Sequence, residues 1–462
     1  MIWQVATRNL FRNRRRSLMT VLAIAISGMA MLLFGGFVTS IWFGLQTSIV
    51  QEQGHIQIFK RGYMEYGAAD PDAYTIDDYE AVQHAIRDNP GLSRQIAVIT
   101  PQIALGGIAG NSREDNSKTF IGKGVIPSDF NQMRTWDSWQ LGLRQPAVDL
   151  AAADVDGAIV GVGMARMIGL CDELKVAACQ DPPAHPAAGG GETADFSELV
   201  QPVADAANAA GAAGETRPRL DLLAATSAGA PNIVSVFVNS AMAQPIRAVD
   251  NAMVMLHFDQ ARTLLYGSDR KATSLVIQAF DPETVGALRS QLQTHLKDAG
   301  FDLEVLTFDE VDPTFPRIFG MFSVIFGAVA LVLTIVIVFT IINTVTMTVM
   351  ERINEVGTIR ALGLRRGSVF RQFLTESFLL GLVGALLSLL LGVAVAALLN
   401  QAGIQWTPPS NATPMTIHLM VTENPILMAG TVAFLALVTV AASILPASNA
   451  VRIPIVRALH HA

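Results

Sequence analysis

Glu351, Arg352, Glu355, Arg360, Arg365 and Arg366 crowd into one short stretch, ERINEVGTIRALGLRRGSVFRQF, that runs from Glu351 to Phe373 between two long apolar runs. Residues of these types can pair charges and grip a charged surface, but they include no nucleophile and no acid–base couple. Elsewhere the chain is equally poor in catalytic patterns. It contains no G-x-x-x-x-G-K-[ST] phosphate loop, and Gly122-Lys123-Gly124 lacks the spacing. H-E-x-x-H and G-x-S-x-G are absent. The 8 histidines are scattered, and His460-His461 read as exposed tail residues rather than metal ligands. The expectation is therefore a chain with no catalytic, metal or cofactor site of its own.

The elements around the charged stretch explain where it must sit. Of 462 residues, 51% are hydrophobic and 15% charged, with a mean hydropathy of +0.40. Soluble proteins carry about 25% charged residues. The apolar residues collect in four runs, each long enough to cross a bilayer, which needs about 20 residues. The reading divides the chain as follows: a cytoplasmic amphipathic segment over 1–17, a first span with a stalk over 18–49, and an outer domain over 50–315. A second span covers 316–350, the charged loop 351–373, a third span 374–400, a short outer loop 401–423, a fourth span 424–447 and a cytoplasmic tail 448–462. The first run is too long for a signal h-region and has no A-x-A cleavage pattern, so it reads as a retained anchor.

Orientation follows from Lys and Arg in the short loops. Arg8, Arg12, Arg14, Arg15 and Arg16 precede the first run, Arg352 to Arg371 lie in the second loop, and Arg452 and Arg457 close the chain. The loop of about 400–423 has neither Lys nor Arg. Both termini and the charged loop are thus expected in the cytoplasm and residues 50–315 outside. The net charge of −7 belongs mostly to the outer domain and gives no argument for nucleic acid. Cys171 and Cys179 both fall outside, where they can pair in an oxidising compartment or remain two buried thiols.

The outer domain reads as mixed α and β. Gly54 to Phe59 alternates like a half-buried strand, Asp77 is placed to cap a helix through Tyr79, Val82 and Ile86, and Ile96–Ile99 and Phe120–Gly122 look like strands. Ala272 to Val311 reads as a β-α-β unit: a strand over Ser274–Phe280, a helix capped by Asp281 with Val285, Leu288, Leu292 and Leu296 on one face, a stop at Gly300, and a second strand from Leu303. Residues 181–230, rich in Ala and Gly, read as a mobile insertion with a short helix near 196–210.

For the charged loop, the residues alone leave two readings. One is a hairpin lying against lipid. The other is an amphipathic coupling helix, with Glu351 and Glu355 on one face, Gly357 and Gly363 breaking regularity, and Arg360, Arg365 and Arg366 as a basic face. The pattern E-R-x-x-E-V-G-x-x-R-A-L-G resembles the signature of the permease family that includes FtsX, LolC, LolE and MacB. WQVATRNLFRNRRRSLMT (Trp3–Thr20), GAIVGVGMARMIGL (Gly157–Leu170), DNAMVMLHFDQARTLL (Asp250–Leu265) and the tail from Leu445, with Pro446, Ala450, Pro454, Ala458 and Leu459, are similar to other parts of that family. Ser448 and His460 stand where the family's tail usually has Arg.

The resemblance implies a bundle of four transmembrane helices with a large mixed α+β periplasmic domain between the first two, in a bacterial inner membrane. It implies a non-catalytic permease subunit of a mechanotransmission-type ABC system, in which a dimer of cytoplasmic ATPases binds ATP and Mg. A second permease chain and the bilayer are further expected partners, and an adaptor or lipoprotein acceptor is one the family allows. The substrate would be a lipoprotein, lipid or other hydrophobic molecule. The alternative is an FtsX-like signalling subunit that controls a cell-wall hydrolase.

Overall fold

The computed structural model describes residues 14–454 except 68, 112, 114–115, 140, 143–144, 177–178, 181–216, 227–228, 407–414 and 417. The chain divides into two compact units: 45–313 with 407–415, and 1–44 with 314–406 and 416–462. In chain order, helix α1 (Arg14–Gln53) is followed by β1 (Ile56–Lys60), α2 (Tyr79–Arg87), β2 (Ile96–Asn111), β3 (Asn116–Val125), α3 (Pro127–Arg134), β4 (Gly157–Gly161) and α4 (Val162–Met167). Then come β5 (Arg219–Ala225), β6 (Pro231–Met242), β7 (Met253–His257), α5 (Phe258–Tyr266), β8 (Ser274–Ala279), α6 (Val285–Asp298) and β9 (Leu303–Thr307). Three further long helices and one short one complete the chain: α7 (Thr314–Glu351), α8 (Ile353–Ala361), α9 (Arg366–Ala402) and α10 (Pro425–Arg452).

The α/β unit is built on one long strand that belongs to two sheets. The first half of β2 pairs antiparallel with β8, which pairs with β1, which pairs with β9. Its second half pairs with both β3 and β5, and the order β3-β7-β4-β6-β5-β2 returns to β3. Six strands therefore close into a ring, and four form an open sheet. Closure needs glycine: a Cβ on Gly107 would lie on the carbonyl oxygen of Leu223 in β5. Ala109, Phe120, Ala158, Val160, Leu220, Leu222, Val236, Val238, Val254 and Leu256 fill the core in and around the ring.

The β-α-β reading of 272–311 holds element by element, with one topological difference. β1 lies between β8 and β9, antiparallel to both, so the two strands are parallel but not neighbours. Asp281 accepts from Glu283 N and caps a 3-10 turn over Pro282–Thr284 that leads into α6. Val285, Leu288, Leu292 and Leu296 are all buried, and Gly300 has φ +85. Flanking that buried face of α6, Gln293 and Arg289 serve the free edge of β9. Val305 N donates to Gln293 Oε1 at 2.9 Å, while Gln293 Nε2 donates to Leu303 O and Arg289 Nε to Val305 O, both at 3.0 Å.

Other expectations are corrected. The cap of α2 is Asp78, not Asp77: its carboxylate accepts from Ala81 N at 3.1 Å. β1 is buried along almost its whole length rather than on one face, because both faces are covered: Ile56 and Ile58 lie in the core, and Phe59 on the other face stacks on Tyr63. The expected insertion is too long at its C-terminal end. Residues 219–225 form β5, whose Leu220, Leu222 and Ala224 are buried and whose neighbours are β6 and β2. The rest of that insertion up to 216, including the expected helix, lies outside the described residues.

Two segments quoted for their family likeness turn out to be one device. Asp250, 5% exposed, accepts backbone N–H groups from Val162 at 3.1 Å, Gly163 at 2.7 Å and Gln244 at 2.8 Å. Its carboxylate thereby caps the start of α4 and fixes the loop before β7. Cys171, buried, and Cys179 are joined by a disulfide with a Cα–Cα distance of 5.4 Å.

The helical unit holds four helices long and apolar enough to cross a membrane, α1, α7, α9 and α10. Small residues bring them close: a Cβ on Gly28 of α1 would meet Ser388 Oγ at 2.6 Å and Leu435 Cδ1 at 2.5 Å. An aromatic seam joins α1 to α7, with Phe34 stacked on Phe326 at 5.9 Å and Trp42 against Phe315 at 4.6 Å and Phe319 at 4.2 Å. α7 is the least buried of the four, with Val324, Leu331, Val332 and Phe339 exposed. Apolar exposure on this scale is what lipid covers.

Candidate functional site

The charged stretch folds as a short helix hung between two long ones. α7 ends at Glu351, Arg352 leaves helical geometry with φ −106 and ψ 14, and α8 begins at Ile353. Glu351 and Glu355 therefore do not share one continuous helix face, as the spacing predicts, although both are exposed. Gly357 does not interrupt anything: it is buried within α8. Gly363 does, with φ +97, a conformation that a side chain resists. Beyond it Arg365 is extended and stands at the N-cap position of α9 without a side-chain capping bond.

One face of α8 is tied down. Ile353, Val356, Gly357 and Arg360 are buried, and Val356 packs with Val349, Val369, Phe373 and Val451. The other face carries Glu355, Thr358 and Ile359, and the turn into α9 adds Leu362, Leu364, Arg365 and Arg366; all are exposed, Leu362 by 84%. This divides the predicted basic face. Arg365 and Arg366 are on it, whereas Arg360 is 9% exposed and donates from Nη1 to Ile453 O at 2.6 Å.

Charge pairs fasten the start of α8 to the rest of the bundle. Arg16 of α1 makes two 2.8 Å hydrogen bonds to the Glu351 carboxylate. Arg352 Nη1 donates to both oxygens of Glu376 in α9, each at 3.1 Å. Sequence reasoning gave Glu376, near the start of the expected span 374–400, no role. The signal it missed is general: a carboxylate at the margin of a membrane helix needs a partner, and Arg352 is the nearby candidate. Arg14 and Arg15 are exposed, and Arg8 and Arg12 lie outside the described residues. No cluster of His, Cys, Asp or Glu suited to a metal occurs among the described residues.

In the α/β unit, the last turn of α1 carries a second charged junction. Glu52 accepts from Arg134 Nη1 at 2.8 Å and from Lys123 Nζ, and both cations lie over the Phe130 ring. Arg134 is 3% exposed in its side chain; burial lowers its pKa and Glu52 opposes the shift. Beside it His55, fully buried, stands edge-on to Trp136 at 4.8 Å and accepts from Ala279 N on Nδ1 at 3.1 Å. Burial pulls its pKa down to about 4, so the ring is neutral at pH 7. Gln51 Nε2 donates to Trp136 O at 2.7 Å and completes the junction.

Comparison with known proteins covers both units. The FtsX-like permease C-terminal family matches residues 327–455, and the MacB-like periplasmic core domain matches residues 17–175. An uncharacterised ABC transporter permease of Methanocaldococcus jannaschii is 26% identical over 153 residues, 33% of this chain and 38% of its own. The uncharacterised ABC transporter permease YknZ of Bacillus subtilis is 26% identical over 213 residues, 46% of this chain and 50% of its own. The macrolide export ATP-binding/permease protein MacB of Bradyrhizobium diazoefficiens is 27% identical over 152 residues, 32% of this chain and 23% of its own. The chain thus matches half or less of the length of each of these relatives. Four apolar helices, a ring-containing α/β domain and matches to both family models lead to one conclusion: this membrane protein belongs to the MacB/FtsX-type ABC transporter permeases.

Proposed function

We propose that this chain is the permease subunit through which a separate cytoplasmic ATPase, binding ATP and Mg, drives movement of the α/β domain on the far side of a bacterial inner membrane. The observation that carries the reading is the two-faced α8. Its inner face is fixed to the bundle, while Glu355 and Ile359 on its outer face, continued by Leu362, Leu364, Arg365 and Arg366 in the turn into α9, form a mixed apolar and charged surface suited to a protein partner. Arginines beside exposed leucines also suit a lipid surface, so the discriminating residue is the exposed Glu355, whose carboxylate an anionic leaflet repels. Movement of the domain would extrude or release a lipoprotein, lipid or other amphiphile at the outer leaflet, with a second permease chain completing the complex. The macrolide export named for MacB is compatible with such a substrate class.

The test is co-purification of the ATPase from cells that carry variants of the full chain. Gly363→Pro forces φ from +97 to about −65 and removes a backbone donor. Glu355→Lys reverses a charge on the exposed face, where a mismatched pair can cost several kcal/mol. Each is expected to insert normally and to lose both ATPase recovery and stimulated ATP turnover. Wild-type levels of both in either well-inserted variant would remove α8 from the docking role.

A further inference from the structure

Arg352 stands where α7 gives way to α8, and its side chain reaches a helix that neither of them belongs to. The pair it makes with Glu376 is dry, with side chains 5% and 9% exposed, against 28% and 41% for Arg16 and Glu351. It is also only partly formed. A guanidinium offers a fork of donors that matches the two oxygens of a carboxylate. Here a single guanidinium nitrogen, Nη1, reaches both oxygens at 3.1 Å, Gln372 Nε2 donates to Oε1 at 3.5 Å, and the buried Nε has no acceptor. An ion pair taken out of water and incompletely bonded adds little to stability; the best-attested use of such pairs is to fix one of two arrangements.

The surroundings make two arrangements mechanically available. The backbone at Arg352 is not helical, so α8 can roll about this residue without breaking a continuous ladder. Glu351, immediately before it, is held by Arg16 of α1 through two short bonds. At its other end, α8 is held to α10 through Arg360 and Ile453 O. A roll of α8 would therefore be resisted at both neighbours and would be felt most at the loosely bonded Arg352.

The geometry points to Arg352 as a positioning residue: its buried, half-bonded pair with Glu376 is where displacement of α8 passes into α9, the guanidinium turning so that Nε takes over one carboxylate oxygen. This rests on the coupling role proposed above for α8 and adds the residue that carries the motion onward. Glu351 and Arg352, adjacent in the chain, then have opposite duties. One holds α1 in place and the other lets α9 follow.

The experiment uses the full chain in lipid nanodiscs, with spin labels on Ala361→Cys and Leu386→Cys, both at exposed positions. Cys171 and Cys179 are bonded to each other and take no label. The unmodified pair is expected to give one distance between α8 and α9. Arg352→Gln, Glu376→Gln and the charge-keeping Arg352→Lys should each add a second distance, and the exchanged Arg352→Glu/Glu376→Arg should restore one. With the ATPase that co-purifies, the single variants should keep the half-saturating ATPase concentration and lose about tenfold in maximal stimulated turnover. The exchanged variant should recover that turnover. A single unchanged distance in all three single variants, or wild-type turnover in Arg352→Lys, would overturn the inference. If no ATPase binds the unmodified chain, the coupling reading fails, and the label distances still decide whether Arg352 sets the position of α8 against α9.

Discussion

The junction at the last turn of α1 and the junction at the start of α8 use the same residue types for opposite ends. At the first, Glu52 takes two cations at once, Arg134 is almost without solvent, and the neutral His55 and Trp136 fill the space alongside. At the second, charges are shared out singly among helices, and a whole face of α8 is left exposed. A carboxylate answered by one buried and one half-buried cation has one arrangement and resists change. Single pairs, one exposed and one half-bonded, allow exchange. The comparison separates an anchor from a moving part, although both are built from Glu and Arg beside the end of a long helix.

Removing the anchor should have the largest effect. Glu52→Leu leaves Arg134 buried without its carboxylate, and breaking such a pair costs on the order of 3 kcal/mol or more. Thermal unfolding of the α/β domain, followed by tryptophan fluorescence, should shift down accordingly. An unchanged transition would show that Lys123, Arg134 and Glu52 are only neighbours.

Acid should reach the same junction more gently. His55 titrates near 4 in the folded state, below its ordinary 6.5, so the unfolded chain binds the extra proton between those values. Its stabilising contribution is complete above about pH 6.5 and declines as pH falls toward 4, by about 3 kcal/mol in all. His55→Asn, which keeps an acceptor for Ala279 N, should flatten that part of the pH–stability curve. A slope that persists in the variant would assign it to other groups.

The smallest effect belongs to the exposed pair. Arg16→Ala should change stability by no more than about 1 kcal/mol, since Arg16 and Glu351 are 28% and 41% exposed. A loss as large as that of Glu52→Leu would erase the distinction between the two junctions.

What could be read from the sequence follows a physical division. The four helices long and apolar enough to cross a membrane show as unbroken apolar runs because lipid offers no partner for a charge, and α6 shows as Val285, Leu288, Leu292 and Leu296 because its buried face repeats locally. Pairings between distant segments leave no such mark. β5 was hidden because its alternation, Arg219-Leu220-Asp221-Leu222, is short and follows a stretch of Ala and Gly. The insertion of β1 between β8 and β9 depends on a register set more than two hundred positions away. In the charged loop the residue types were legible and their partners were not. Arg360 looks basic and exposed until Ile453 O is known to lie beside it, and Arg352 looks like one charge among many until Glu376 closes over it.

The side chains of Arg289 and Gln293 that serve β9 have a consequence for how the open sheet can meet other chains. A bare outer strand is a template on which a foreign segment can lay down hydrogen bonds, and it invites aggregation or strand exchange. Here the backbone of Leu303 and Val305 is already engaged by α6. The ring on the other half of β2 has no rim of this kind, since its six strands close on themselves. Growth of this sheet by an added strand at Leu303–Val305 is therefore blocked, and a partner meeting that side of the domain would have to recognise it through side chains.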